Sequence, residues 1–285
     1  MKKDNLIKHF NIAEIKDPKF LKDLSYKELD VLSNDIRKEI IEVTSKTGGH
    51  LSSNLGVVEL TIALHRNFDF LKDTLLFDVG HQCYTHKILT GRSIKNIRQD
   101  DGLCGFQKMQ ESPYDKYEAG HSSTVISVAT GLAISKDAND DSNIVCLIGD
   151  SSIVNGLALE GLNNLSQINN KVIIILNDND MSISKPSGGF SKFFRKMQIA
   201  PSYTKHKNRF TRVMNKTRFG AFLFKITRKF KNKVKSWLIP TTLFDNLGFA
   251  YLGPIDGHNF KALDKLSFRI ASSPFTSIRI AWKIL

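Results

Sequence analysis

Two apolar runs, residues 144–148 and 172–176, end in polar residues: Gly149-Asp150-Ser151 after the first and Asn177-Asp178-Asn179-Asp180 after the second. Short continuous runs of Val, Ile and Leu read as strands buried on both faces. Between them Val154, Leu157, Ala158, Leu162 and Leu165 fall at the spacing of one amphipathic helix, and Asn169-Asn170 turns the chain back. Strand, helix and strand in that order form a βαβ unit, with parallel strands and a right-handed crossover. The expected fold is therefore α/β, a doubly wound parallel sheet flanked by helices. Both polar strand ends lie at the same edge of that sheet.

Other segments supply elements for such a sheet. The first 46 residues read as helical, with Ser25 as an N-cap and an apolar pattern that runs through Ile36, Ile40, Ile41 and Val43 to Gly48-Gly49. Further helices are expected over 57–67 and 122–136. A strand over 75–79 breaks at Gly80-His81, and two more strands are expected at 249–252 and 276–282.

Charge is unevenly placed. The chain carries a formal net charge of +13, yet sixteen of its 41 Lys and Arg residues fall within 185–240, which holds no Asp or Glu. The remainder is slightly acidic. Three widely spaced cysteines, Cys83, Cys104 and Cys146, form no CxxC pair, which points to reduced thiols rather than a zinc site. No apolar run approaches the roughly 20 residues that span a bilayer, and the N-terminus has no signal-peptide or transit-peptide character. The expected location is cytoplasmic.

Asp150 sits where a parallel sheet opens its binding crevice, and the N–H groups that begin the next helix can receive phosphate oxygens. Asn179 offers a neutral oxygen from the neighbouring strand end and Met181 its carbonyl. Such a set suits Mg²⁺ carrying a diphosphate. Asp and Asn at strand ends also serve as turn formers, and spacing alone does not separate the two roles. The histidines bear on the choice. Gly49-His50, Gly80-His81 and Gly120-His121 each lie where a regular element begins or ends. Three such residues on small-residue turns point to a pocket with proton-shuttling groups and a phosphorylated ligand.

Residues 47–56, Thr-Gly-Gly-His-Leu-Ser-Ser-Asn-Leu-Gly, resemble the first signature of the 1-deoxy-D-xylulose-5-phosphate synthases, transketolase-like thiamine diphosphate enzymes. Phe77-Asp78-Val79-Gly80-His81-Gln82, continuing through His86-Lys87 to Gly91-Arg92, is similar to the second, and Gly120-His121-Ser122-Ser123-Thr124 to the third. Gly149-Asp150 with residues 176–183 resembles the diphosphate and metal motif, and residues 251–258 a later signature. The resemblance implies thiamine diphosphate and Mg²⁺ as cofactors, with the ion held by Asp150, Asn179 and the Met181 carbonyl. It implies that Ser151 and Ser152 approach the diphosphate through their backbone, with Asn179 beside it, and that His81, Gly120, His121 and Ser122 line the cofactor site. His50 and His81 are the implied proton-transfer groups. The implied reaction takes pyruvate, releases CO2 and joins the two-carbon unit to glyceraldehyde 3-phosphate, for isoprenoid and thiamine biosynthesis.

Two departures stand out. Ser151 occupies a position where the family carries glycine. If that position needs positive φ or close phosphate approach, a Cβ costs about 1 kcal/mol there; if it is already helical, serine is harmless and its hydroxyl can contact phosphate. The second departure is length, because the family's pyrimidine-binding domain, with its activating glutamate, and its C-terminal domain are not among these 285 residues. The expectation is one diphosphate-binding domain over 1–285, active as a homodimer or with a chain carrying the pyrimidine domain. A non-catalytic truncated product and one chain of a two-component transketolase are the alternatives. Within 185–240, Phe193, Phe194, Phe219, Phe222, Phe224, Phe230 and Trp237 interleave with the basic residues. Contact with nucleic acid or an anionic membrane, and steering of phosphorylated substrates, compete there with a plain solvated flap, which is the simplest reading.

Overall fold

The computed structural model describes residues 9–137, 139–178, 244, 247–271 and 279–284. Asn179, Met181 and the basic segment 185–240 lie outside the described residues. Five strands, β1 (Thr74–Phe77), β2 (Ile144–Gly149), β3 (Val172–Asp178), β4 (Ala250–Asp256) and β5 (Arg279–Ile284), pair in parallel in the order β1-β2-β3-β5-β4.

Alternation within the apolar runs sorts their side chains between two cores. Leu75, Phe77, Val145, Leu147, Ile173 and Ile175 enter one, and Leu76, Ile144, Cys146, Ile148, Val172, Ile174 and Leu176 the other. The first core is closed by α1 (Tyr26–Thr47), by α3 (Val58–Asn67), which follows the short α2 (Leu51–Leu55), and by α4 (Tyr84–Leu89). The second is closed by α5 (Val125–Ile134) and by α7 (Gly156–Leu165), which follows α6 (Asp150–Ile153). From β1 through β2 to β3 the chain steps one way with α5 and α7 on one face. From β4 to β5 it steps back, and α8 (Phe260–Ala271) joins the opposite core through Phe260, Leu263 and Ile270. Right-handed crossovers require that exchange of faces when the direction reverses.

Local differences from expectation have physical causes. Before α1 the chain makes two 3-10 turns, Ile12–Glu14 and Pro18–Lys22, and α1 itself begins at a capping box between Ser25 and Glu28. The helix expected from 122 begins at Val125. The single helix expected after Asp150 is two, broken at Val154-Asn155. Neither α4 nor α8 has a counterpart among the sequence expectations. All three cysteines are free thiols, and no helix among the described residues is long and apolar enough to cross a membrane.

Candidate active site

His81 follows β1 after two left-handed residues, Val79 (φ 64°) and Gly80 (φ 92°). A Cβ on Gly80 would lie 3.1 Å from the Gln107 backbone nitrogen, so the turn requires glycine. Val79, being β-branched, holds its conformation under strain. His50 arrives from α1, where Gly48 and Gly49 both take positive φ before α2 begins. The two imidazoles meet with ring centroids 5.0 Å apart and planes inclined by 60°, and Phe106 lies 6.2 Å from His50.

Both rings are tuned to be neutral near pH 7. Burial, then the His50 charge, lowers the His81 pKa to about 4 against the opposing pull of Asp78. Burial, then the Arg98 charge, lowers that of His50. Neutral imidazoles can accept a proton, and the buried His81 Nδ1 has no hydrogen-bond partner among the described residues.

A chain of hydrogen bonds joins these loops to the rest of the sheet edge. The Asn54 amide donates to the carbonyls of His50 (2.7 Å) and His81 (2.8 Å), and its oxygen accepts from Tyr84 N–H (2.9 Å). Three residues before His81, the buried Asp78 carboxylate accepts from Ser123 N–H (2.9 Å) and Val125 N–H (3.4 Å). That carboxylate caps α5 from a different element. The Ser123 hydroxyl donates to the Ser152 carbonyl (2.9 Å) and accepts from Asn155 (2.7 Å). His50, His81, the 120–123 turn and the 149–152 turn thus belong to one connected edge. Gly120 and His121 are exposed, Ser122 is half-buried, and His121 Nδ1 lies 3.0 Å from the Ser122 carbonyl.

The cation and diphosphate reading can be tested against this edge. Asp150 opens α6 directly after β2, and the register pairs Gly149 with Asn177 on β3. The buried Asn177 oxygen has no hydrogen-bond partner among the described residues, as an oxygen facing an absent donor or ion would. Ser151 and Ser152 sit in the first turn, where helical N–H groups have no intrahelical partner. Ser151 is helical and is not among the positive-φ residues, so its Cβ carries no backbone strain. No three His, Cys, Asp or Glu side chains gather into a metal-binding group among the described residues. Of the three expected ligands, Asp150 is among the described residues, and Asn179 and Met181 lie outside them. Oxygen donors, phosphate-competent N–H groups and neutral imidazoles at one edge fit thiamine diphosphate with Mg²⁺.

Several residues of this region have no individual signal in the sequence. Arg98 (φ 67°) borders a cleft of about 340 Å³ with Cys104, Phe106, Lys108 and Glu111, alongside the His50 loop. Beneath the cleft, the residues of the second signature are buried: His86 Nε2 lies 2.7 Å from Asp115, which Arg92 also binds at 2.6 Å, and Lys87 pairs with Glu111. Burial would raise the Asp115 pKa, but hydrogen bonds from His86 and Arg92 hold it well below the usual carboxylate range. The Gln107 side chain bonds Phe77 N–H and the Leu75 carbonyl at 3.1 Å each, fastening the same loop to β1. In the later signature, His258 docks on Glu59 (2.7 Å), which Arg37 grips with two bonds of 2.5 Å.

The family model described as 1-deoxy-D-xylulose-5-phosphate synthase matches residues 12–274. The enzyme of that name from Clostridium tetani is 48% identical over 255 residues, covering 88% of this chain and 41% of that protein. Its counterpart from Shouchella clausii is 44% identical over 271 residues, covering 94% and 43%. This chain therefore spans about two fifths of the length of the curated relatives it matches. Among solved structures, transketolase from Leishmania mexicana superposes with a TM-score of 0.58 at 14% identity, over 97% of this chain and 37% of that one. Campylobacter jejuni transketolase gives 0.58 at 16%, over 91% and 38%. At these identities the likeness is one of fold.

Proposed function

The chain belongs to the 1-deoxy-D-xylulose-5-phosphate synthase family, and on that premise we propose that residues 1–285 form the diphosphate-binding unit of a thiamine diphosphate- and Mg²⁺-dependent synthase condensing pyruvate with glyceraldehyde 3-phosphate. The observation that carries this reading is the connected edge itself. Asn54, Asp78 and Ser123 tie together segments that lie from residue 50 to residue 155 in the sequence.

In this reading Asp150 holds the ion with Asn179 and the Met181 carbonyl. The backbone of Ser151 and Ser152 receives diphosphate oxygens, and Gly120, His121, Ser122 and His81 line the cofactor. Thiamine diphosphate, when bound, supplies the nucleophilic carbon and electron sink for loss of CO2 from pyruvate. His50 and His81, held neutral, accept and return protons on the substrate hydroxyl and carbonyl oxygens. Arg98 and Lys108 on the adjoining cleft receive the acidic ends of the two substrates. Turnover further requires the region of the relatives that this sequence does not span. Isothermal titration with thiamine diphosphate and Mg²⁺ tests the reading: saturable, Mg²⁺-dependent heat that disappears in Asp150→Ala is the expected result. Equal binding by that variant, or none by the parent chain, overturns it.

A further inference from the structure

His50 and His81 sit on loops that approach from different elements, and neither loop is a regular structure that would fix its own position. His50 follows the two positive-φ glycines after α1, and His81 follows the strained turn after β1. Something must set the 5.0 Å separation of their rings. Among the described residues, the one side chain that bonds both backbones is Asn54, which has 0% exposure. Its Nδ2 donates to the His50 carbonyl at 2.7 Å and to the His81 carbonyl at 2.8 Å. Its Oδ1 accepts from Tyr84 N–H at 2.9 Å, at the start of α4.

We propose that Asn54 is a positioning residue that bolts the His50 and His81 loops at a fixed spacing and registers both against α4. The chemistry selects the residue. A primary amide is the smallest side chain with two donors and an acceptor in one plane. Aspartate keeps the acceptor but replaces the nitrogen that carries both donors with one oxygen, which then faces two carbonyls. Serine has a single donor, and leucine strips the side-chain partner from the His81 carbonyl and Tyr84 N–H, leaving the His50 carbonyl with the Asn54 backbone N–H at 3.3 Å. The amide is also well placed in the chain. Asn54 lies four residues after His50, so its side chain reaches back along α2 to one carbonyl while its second N–H crosses to the other loop. The histidines act on the substrate, whereas Asn54 touches neither reacting atom and works through their separation.

This inference rests on the reading of the two histidines as proton-transfer groups, yet its primary test does not use activity. The charges facing the pair are Asp78 beside His81 and Arg98 beside His50, together with each ring's effect on the other. Releasing the bolt in Asn54→Ala leaves Asp78 and Arg98 in place, separates the rings and admits water. The His81 titration, followed by NMR of the imidazole C–H groups, is expected to move up from about 4 by ~1 pH unit or more, with loss of contacts between the rings. Asn67→Ala is the control. It removes an exposed helical amide, remote from the histidine loops and bonded to the Ala63 carbonyl and Asp264 at 2.8 Å each, and is expected to leave both titrations unmoved.

Unchanged titrations and ring contacts in folded Asn54→Ala overturn the proposal. In the parent chain, the Asn54 side-chain amide protons are expected to exchange slowly with solvent and to show through-bond coupling to both carbonyls. Fast exchange overturns the proposal even if the variant does not fold. In the enzyme assembled with the remaining family region, Asn54→Ala is expected to lower kcat by ~10-fold or more with KM for pyruvate little changed. A shifted titration with unaltered kcat would leave Asn54 as the bolt and remove the proton-transfer reading of the pair.

Discussion

Serine at position 151 shows how one backbone angle decides the meaning of a substitution. Read from the sequence, a Cβ after Asp150 is either costly or neutral, and only the local conformation chooses. Position 151 lies inside α6 and is not among the positive-φ residues, so no steric cost arises. Ser151→Gly is therefore expected to give no gain in thiamine diphosphate affinity by titration. It should lower stability by about 0.5 kcal/mol in urea unfolding, because glycine pays more backbone entropy in a helix. A clear gain in affinity would mean that the Ser151 Cβ crowds the diphosphate. The histidines were legible because a Gly-His step at an element boundary is a local pattern. Asn54, Asp78 and Gln107 were not, because each acts on the backbone of a segment about 25 to 45 residues away, and a single chain carries no mark of such pairing.

Among the elements, legibility followed burial. The central residues of β1, β2 and β3 are apolar because helices cover both faces, and such runs announce themselves. Helix α4 does the opposite. All six of its residues are buried, including Thr85, His86 and Lys87, so its polar residues mimic an exposed face while serving an internal ionic network. Helix α8 carries a readable pattern in Phe260, Leu263, Leu266 and Ile270, though no helix was expected there. The joint between α1, α3 and the turn before α8 holds a buried carboxylate, Glu59, between the more exposed Arg37 and His258, and it makes a pH prediction. Burial alone would raise the Glu59 pKa, but hydrogen bonds from His258 and Arg37, and the Arg37 charge, bring it to about 2. A depressed carboxylate stabilises the folded chain above its unfolded pKa, ordinarily 4.5, and the contribution is lost as pH falls toward 2. Its size is on the order of 3 kcal/mol. Urea unfolding followed from pH 6 to pH 2.5 is expected to show this loss, and Glu59→Gln to flatten the slope in that window. An unaltered slope in the variant would assign the acid sensitivity to other groups.

At the scale of the molecule, the parallel sheet gathers at its carboxyl edge groups suited to one end of a ligand: Asp150 and the first turn of α6 for charge, and the histidine pair and the 120–123 turn beside it. The curated relatives extend well beyond the matched region, with this chain covering 41% of the Clostridium tetani protein. Binding and turnover should then separate. A ligand that binds only the folded state stabilises it by RT ln(1 + [L]/Kd), about 2.7 kcal/mol at a hundredfold excess over Kd. The melting temperature of the 285-residue chain is thus expected to rise with thiamine diphosphate concentration in the presence of Mg²⁺. CO2 release from pyruvate is expected only after the remaining family region is supplied, because the reading proposed above assigns the group that activates the far end of the cofactor to that region. The two measurements discriminate between arrangements of the site. A rising melting temperature without turnover, followed by turnover on mixing, is the outcome of a site divided between two regions. Robust CO2 release by this chain alone would mean that its own sheet edge activates the cofactor, and the division of labour proposed here would be wrong.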